Sequence, residues 1–339
     1  MHAPYRVRAD LARLGDERAV PKGVDPGPGT VFRGDRTWPD LVAERLDVLE
    51  ARPGDVRAVD PDAAPSSLLA AGFAVARHAA QELPGRVVVD GGAVSLPQLG
   101  VCIDAVGDVH AVGGALAPAL AASAPERALA ILRDRPAHLR HLAALALALQ
   151  EDLVLVGARA SRAFAAGGEG RAGEDATGVG RAAWLHVAFP SGWDPGAMAG
   201  ASFERLHAPV PDAAALQRAA PALIEAMVAK GPFVRYVWGL SPDGARSRHP
   251  RHAQAMRHDQ PLERAWLRVE RQTTLPLTGV GLALFAIGVH VTPLAEALCL
   301  PERRTAFVDA IASLTPAARD YKGVPWSDER VRTWCARLP

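Results

Sequence analysis

Apolar positions along the chain alternate between helical and strand-like spacing. Trp38, Leu41, Val42, Leu46 and Leu49 recur at helical intervals, and Pro39 suits the first turn. Residues 66–82 repeat the pattern through Leu68, Leu69, Phe73 and Val75, and Pro84 stops it. An Ala/Leu-rich run predicts a long helix over 126–150, broken near Pro136. Further helices are predicted over 194–207, with Asp194 as N-cap and Pro195 in the first turn, and over 213–230, closed by Gly231. Two closing helices follow at 303–313 and 328–337. Runs of strand character cover 86–94, 152–156, 182–189, 233–240, 265–277 and 282–291, with a hairpin about Gly107 from 101–107 and 108–112. The Gly/Pro-rich start, up to Gly34, predicts a surface arm; residues 157–181 predict a flexible loop or insertion. Helices first, then strands with interspersed helices, indicate α+β with a mostly antiparallel sheet. Residues 1–150 are expected to form an arm and helical region packed on a core of residues 151–339, as one continuous unit.

Composition narrows the function classes. Of 339 residues 49% are hydrophobic and 22% charged, which suits a globular chain. The net charge is +1, from 38 basic and 37 acidic residues, so no general field draws in nucleic acid or an anionic membrane. Lysines stand only at 22, 230 and 322; the other basic residues are Arg, which stays charged when partly buried and grips carboxylates bidentately. The start of the chain has no apolar signal region, and the longest apolar stretch, 280–291, is too short to span a bilayer. A soluble, cytoplasmic protein is expected. Cys102, Cys299 and Cys335 are scattered, which favours neither a disulfide framework nor an iron–sulfur cluster; electrons for redox chemistry would have to come from outside.

Three constellations carry chemistry. Pro209 restricts the backbone before it, so the helix over 194–207 ends at His207 and its ring faces the carbonyl end. One ring nitrogen can then bond a carbonyl and the other a metal; the alternative is a His that only caps the last turn. Along 266–273, alternation places Arg268, Glu270 and Gln272 on one strand face and Leu267, Val269 and Arg271 on the other. The polar face offers a cation, an anion and an amide, or is an outward solvated face. His249, His252 and His258 share a polar loop over 241–261; no carboxylate recurs at a set offset, so a solvated loop is expected there. His138 and His141 are expected on a solvated helix face, and His186 as a core histidine. The Gly-rich stretches match neither dinucleotide nor phosphate-loop fingerprints.

Residues 150–153 (QEDL), 189–193 (FPSGW), 207–211 (HAPVP) and 268–273 (RVERQT), in that order, resemble the haem-dependent oxidative N-demethylase family. Tyr5-Arg6-Val7, Pro293-Leu294 and Tyr321-Lys322-Gly323 extend the resemblance. It implies a PAS-like fold, with helices packed on one face of an antiparallel sheet, that holds haem b. It implies O2-dependent removal of a methyl group from a small amine, with NADPH-derived electrons delivered by partner flavin and iron–sulfur proteins. On that footing His207 is expected as the axial iron ligand. Arg268 and Glu270 are expected at the reacting side, Arg271 or Arg235 at the propionates, and Trp193 against the cofactor. Two departures stand out: Val237 where the family pattern has Asn, and Gly288 where it has Arg. They keep open a haem-binding sensor or regulatory subunit without turnover, or a haem-free interaction protein.

Overall fold

The computed structural model describes residues 11–16, 29–113, 117, 120–158 and 179–339. Most of the N-terminal arm, including Tyr5-Arg6-Val7, and most of the 157–181 loop lie outside the described residues.

The chain runs through β1 (Ala12–Arg13), α1 (Trp38–Ala51), α2 (Pro53–Val56), β2 (Arg57–Val59) and α3 (Pro65–Glu82). A small meander follows, β3 (Val88–Asp90), β4 (Ala93–Leu96), β5 (Val101–Ile103) and β6 (Val109–Ala111). Then come α4 (Ala124–Arg133), α5 (Ala137–Ala148), β7 (Asp152–Gly157), β8 (Arg181–His186), α6 (Phe203–Leu206) and α7 (Ala214–Ala229). The long strands β9 (Phe233–Ser241), β10 (Trp266–Leu277) and β11 (Leu282–Pro293) precede α8 (Leu294–Ala297), α9 (Pro301–Ala312), α10 (Pro316–Tyr321) and α11 (Asp328–Arg337). The main sheet is antiparallel throughout, in the order β1-β9-β10-β11-β7-β8-β2.

Alternation explains the layers. Leu153, Leu155, Leu284 and Ala286 face α3 and α5 in the largest core, while Val154, Val156, Leu185 and Ala283 face α7 through Leu216, Ala220, Ile224 and Met227. Helices therefore cover both faces of the sheet, where packing on one face was expected. A third cluster joins α8–α11 to the far end of β9 and β10 through Phe307, Trp326, Trp334 and Leu267.

Three local expectations are corrected, and two short strands are added. The run 86–94 is a hairpin, because Gly91 and Gly92 take φ of +53° and +88° and turn the chain. The 194–207 segment is not one helix. A 3₁₀ turn at Pro195–Met198 stops where Gly200 (φ +68°) turns and residues 200–201 bond to Ala182 on β8. Ser202, and not Asp194, then caps α6. His141 is wholly buried against Phe73, with ring centroids 4.4 Å apart, since Gly72 lets α3 and α5 approach closely. Finally, β1 and β2 are too short to leave a periodicity.

Candidate functional site

On the α7 side of the sheet a cavity of about 1060 Å³ opens. Val154, Leu185, Phe203, Ile224, Met227 and Phe285 form its apolar wall. The same space is lined by Arg235, Arg248, Arg268, Glu270, Gln272 and Lys322, so five charged groups and an amide converge on a largely apolar cavity.

His207 lies at the wall, as the residue closing α6. Pro209 and the short helix set its direction as the sequence suggested. Nδ1 is 2.8 Å from the Phe203 carbonyl oxygen, and the ring stacks on Phe203 with centroids 4.0 Å apart. A carbonyl only accepts, so Nδ1 carries the proton and Nε2 keeps its lone pair. Burial pushes the imidazole down to about 4; the bond to Phe203 opposes this and Arg235 adds to it. At neutral pH His207 is a neutral nitrogen donor.

The polar face of β10 is buried, not solvated. Arg268 is 6% exposed, and Nη2 and Nε donate to the Phe189 carbonyl (2.7 Å) and Ser191 Oγ (2.6 Å). Nη1 donates to the Arg246 carbonyl. Its Nη2 also stands 3.6 Å from Glu270 Oε1. Ser191 Oγ donates to Glu270 Oε1, and Gln272 Nε2 donates to Oε2 at 2.7 Å. The amide nitrogen must face the carboxylate, so Gln272 Oε1 is the remaining acceptor, and it is buried without a partner. Arg268 thus braces the 189–191 turn, whereas Glu270 lines the cavity with Gln272 beside it, the unpartnered Gln272 Oε1 buried at its edge.

Trp193, Arg235 and Val237 also line this space; Val237 pairs with Glu270 across β9 and β10. Arg271 does not line it. Its guanidinium donates to Val31 (2.9 Å) and Thr30 carbonyls on the opposite face. Gly288, which pairs with Arg271, lies on that face too, next to Glu151. His290 is exposed and outside the cavity lining.

Sequence reasoning missed Arg248, which lies in the loop expected to be solvated, and two further contributors. Ser191 sits within the quoted 189–193 motif, yet its contact with Glu270 depends on a long-range approach. Lys322 is 3% exposed; Nζ donates to the Trp238 carbonyl at 2.6 Å and lies 4.7 Å from the Trp238 ring centre. Burial lowers its ammonium to about 8, opposed by Glu270 and aided by Arg235. Only its place in the 321–323 motif marked it.

The QEDL motif proves architectural. Gln150 exchanges hydrogen bonds with Asp35, and Glu151 Oε1 accepts from the Arg33 N–H at 2.8 Å. Asp152 accepts from the N–H groups of Ala188 (3.1 Å) and Phe189 (2.8 Å), and from buried Arg45. It therefore fixes the same turn that Arg268 grips from the other side.

No helix among the described residues is long and apolar enough to cross a membrane. No curated protein sequence matches the chain. A family model described as haem-dependent oxidative N-demethylase, alpha subunit-like, matches residues 125–332, and that span holds the cavity's polar wall, His207 and all four quoted motifs. Since it also covers more than half of the chain, the protein belongs to the haem-dependent oxidative N-demethylase alpha subunit-like family.

Proposed function

We propose that this chain is the haem-binding subunit of an oxygenase that removes a methyl group from a small amine. One observation carries the assignment: a neutral imidazole, His207, with Nδ1 tied to a carbonyl, at the wall of a cavity of about 1060 Å³. That donor set fits haem iron, which takes a neutral axial nitrogen whose other nitrogen is fixed by a hydrogen bond. In this reading a PAS-like core of residues 151–339 and the N-terminal region, whose described part adds helices, a small meander and the strands β1 and β2 to it, form one continuous unit in the cytoplasm.

Haem b, when bound, supplies oxygen activation and the oxidation of the N-methyl carbon. The chain's own groups do the rest. His207 Nε2 holds the iron. Arg235 and Arg248 supply cationic partners for propionates, and Trp193 supplies an aromatic wall; Arg271, committed to the other face, takes no part. Glu270 and Gln272 Oε1 accept from the substrate nitrogen, which orients it and favours an amine over an ether or alkane. Arg268 and Ser191 hold Glu270 in place. Lys322 Nζ, with its ammonium near 8, exchanges a proton close to neutral pH at the cavity wall. In sum, an N-methyl amine, O2, two electrons and two protons give the demethylated amine, formaldehyde and water. The electrons would come from NADPH through separate flavin and iron–sulfur proteins, as the family resemblance implies, and the three scattered free cysteines fit an external donor.

The test is turnover of N-methyl amines by the haem-loaded chain with a reductase, followed by formaldehyde release. Formaldehyde in step with NADPH consumption is expected. A haem-loaded, reducible chain that releases none with any N-methyl amine would overturn the enzymatic assignment and leave a sensor.

A further inference from the structure

The loop between β9 and β10 was expected to be solvated. Instead it folds inward, and His249 is 2% exposed. On its outer side His249 and His252 meet Asp55, which comes from α2 nearly two hundred residues earlier in the chain. The Asp55 Oδ2 atom lies 2.8 Å from His252 Nε2 and 4.0 Å from His249 Nδ1, and the three donor atoms lie within 4.8 Å of one another. A void of about 10 Å³ adjoins these three side chains. That is about one probe sphere, enough for a water or a smaller ion.

We propose that Asp55, His249 and His252 form a second metal site, for a borderline divalent cation such as zinc, which clips the loop over 241–261 to α2.

The chemistry of the donors supports this in three ways. Two imidazoles and a carboxylate, with a fourth position left for water, form a common zinc set. The His249 tautomer is the one a metal needs: Nδ1 is unprotonated and accepts a long bond from the Arg251 N–H at 3.3 Å, which a cation at that lone pair would displace. Its other nitrogen, Nε2, lies 3.2 Å from Asp194 Oδ1, the carboxylate–histidine arrangement that orients metal-bound imidazoles. That pair is off the hydrogen-bond line, so neither buried atom has a well-formed bond. A cation at Nδ1 would fix the proton on Nε2 and draw the pair into line.

The competing counter-ion is Arg251, whose Nη2 stands 2.7 Å from Asp55 Oδ1 and 3.1 Å from Asp194 Oδ2. It holds the carboxylate oxygens that face away from the histidines and leaves Asp55 Oδ2 to them. Position gives the site a consequence. The same loop carries Arg248, Met256 and His258 into the wall of the large cavity. A metal on the loop's outer side would stiffen that wall, and this holds whether or not haem occupies the cavity.

The test uses the full-length protein, stripped with chelator and then given zinc alone. One zinc per chain should survive gel filtration, and zinc should slow proteolytic cleavage within residues 241–261. His252→Ala and Asp55→Asn should lose both effects; His252 has a half-exposed side chain, so its variant is expected to fold. Asp194→Asn should weaken zinc about 10–100-fold. His207→Ala and His258→Ala should keep it, which separates this site from the cavity. No retained zinc in the wild type, or equal retention by His252→Ala and Asp55→Asn, would overturn the proposal and leave an ion-pair cluster around Arg251.

Discussion

At the residue scale, the proposed function rests on a few side chains at the cavity wall. Glu270 is the group expected to touch substrate. Glu270→Gln should cut turnover roughly 10²–10³-fold with haem content unchanged, since one pre-oriented electrostatic contact is lost. Equal turnover in the variant would remove it from the reacting side. Glu151 gives a pH signature of the fold. Burial raises its carboxyl to about 7 from 4.5, with the Arg33 N–H and Arg271 opposing. The native state thus holds this proton more tightly than the unfolded state. The stabilisation is fully present below pH 4.5 and is lost as pH rises through about 7. Denaturant unfolding between pH 5 and 8 should show wild type losing on the order of 3 kcal/mol relative to Glu151→Gln, read as the difference between the two so that the opposite contributions of the buried His207 and His186 cancel; a difference that does not change with pH would assign the effect elsewhere. Much of this scale was legible. Pro209 fixed the end of the helix at His207, and period-two alternation put Arg268, Glu270 and Gln272 on one face. Lys322 and Ser191 were not legible as cavity groups, because only tertiary packing brings them to β10.

At the scale of elements, long periodic runs were legible and interruptions were not. The break at Pro136, now the cap of α5, and the three long strands follow from proline chemistry and apolar spacing. The 194–207 run failed because its apolar positions answer to hydrogen bonds with β8 rather than to a helix axis. The histidine loop failed for a related reason: its carboxylate partner is supplied by α2. Two contacts between elements give predictions. Arg45 joins α1 to β7 through Asp152 (3.2 Å), both side chains fully buried, and also donates to the Leu149 carbonyl at 2.6 Å. Asp152→Ala strands that guanidinium and frees the 188–189 backbone, so a loss of about 3–5 kcal/mol is expected in chemical denaturation; a change below about 1 kcal/mol would contradict the clamp. At Gly72 an added Cβ would lie 3.0 Å from His141 Cβ. Gly72→Val should lower stability by about 1–3 kcal/mol through overpacking of α3 on α5, whereas unchanged thermal unfolding would show that the helices separate freely.

At the scale of the whole molecule, the seven-stranded sheet divides the labour between its faces. One face buries Arg271, Glu151 and the 30–35 segment against α3 and α5, and holds the architecture together. The other leaves space beneath α7 for a large ligand. The departure at Val237 falls on the open face and, under the proposed function, would bear on which amine fits; the departure at Gly288 falls on the closed face, next to Glu151. Neither division was visible in the sequence, since alternation gives two faces without saying which one stays open. The central claim is that the open face holds haem through His207. The most direct measurement is haem content and the ferric absorption spectrum of His207→Ala beside wild type and His290→Ala. About one haem per chain is expected in wild type and His290→Ala, with loss in His207→Ala and recovery of the spectrum on adding imidazole. A wild-type spectrum in His207→Ala together with haem loss in His290→Ala would contradict the assignment and move the cofactor to the other face of the sheet.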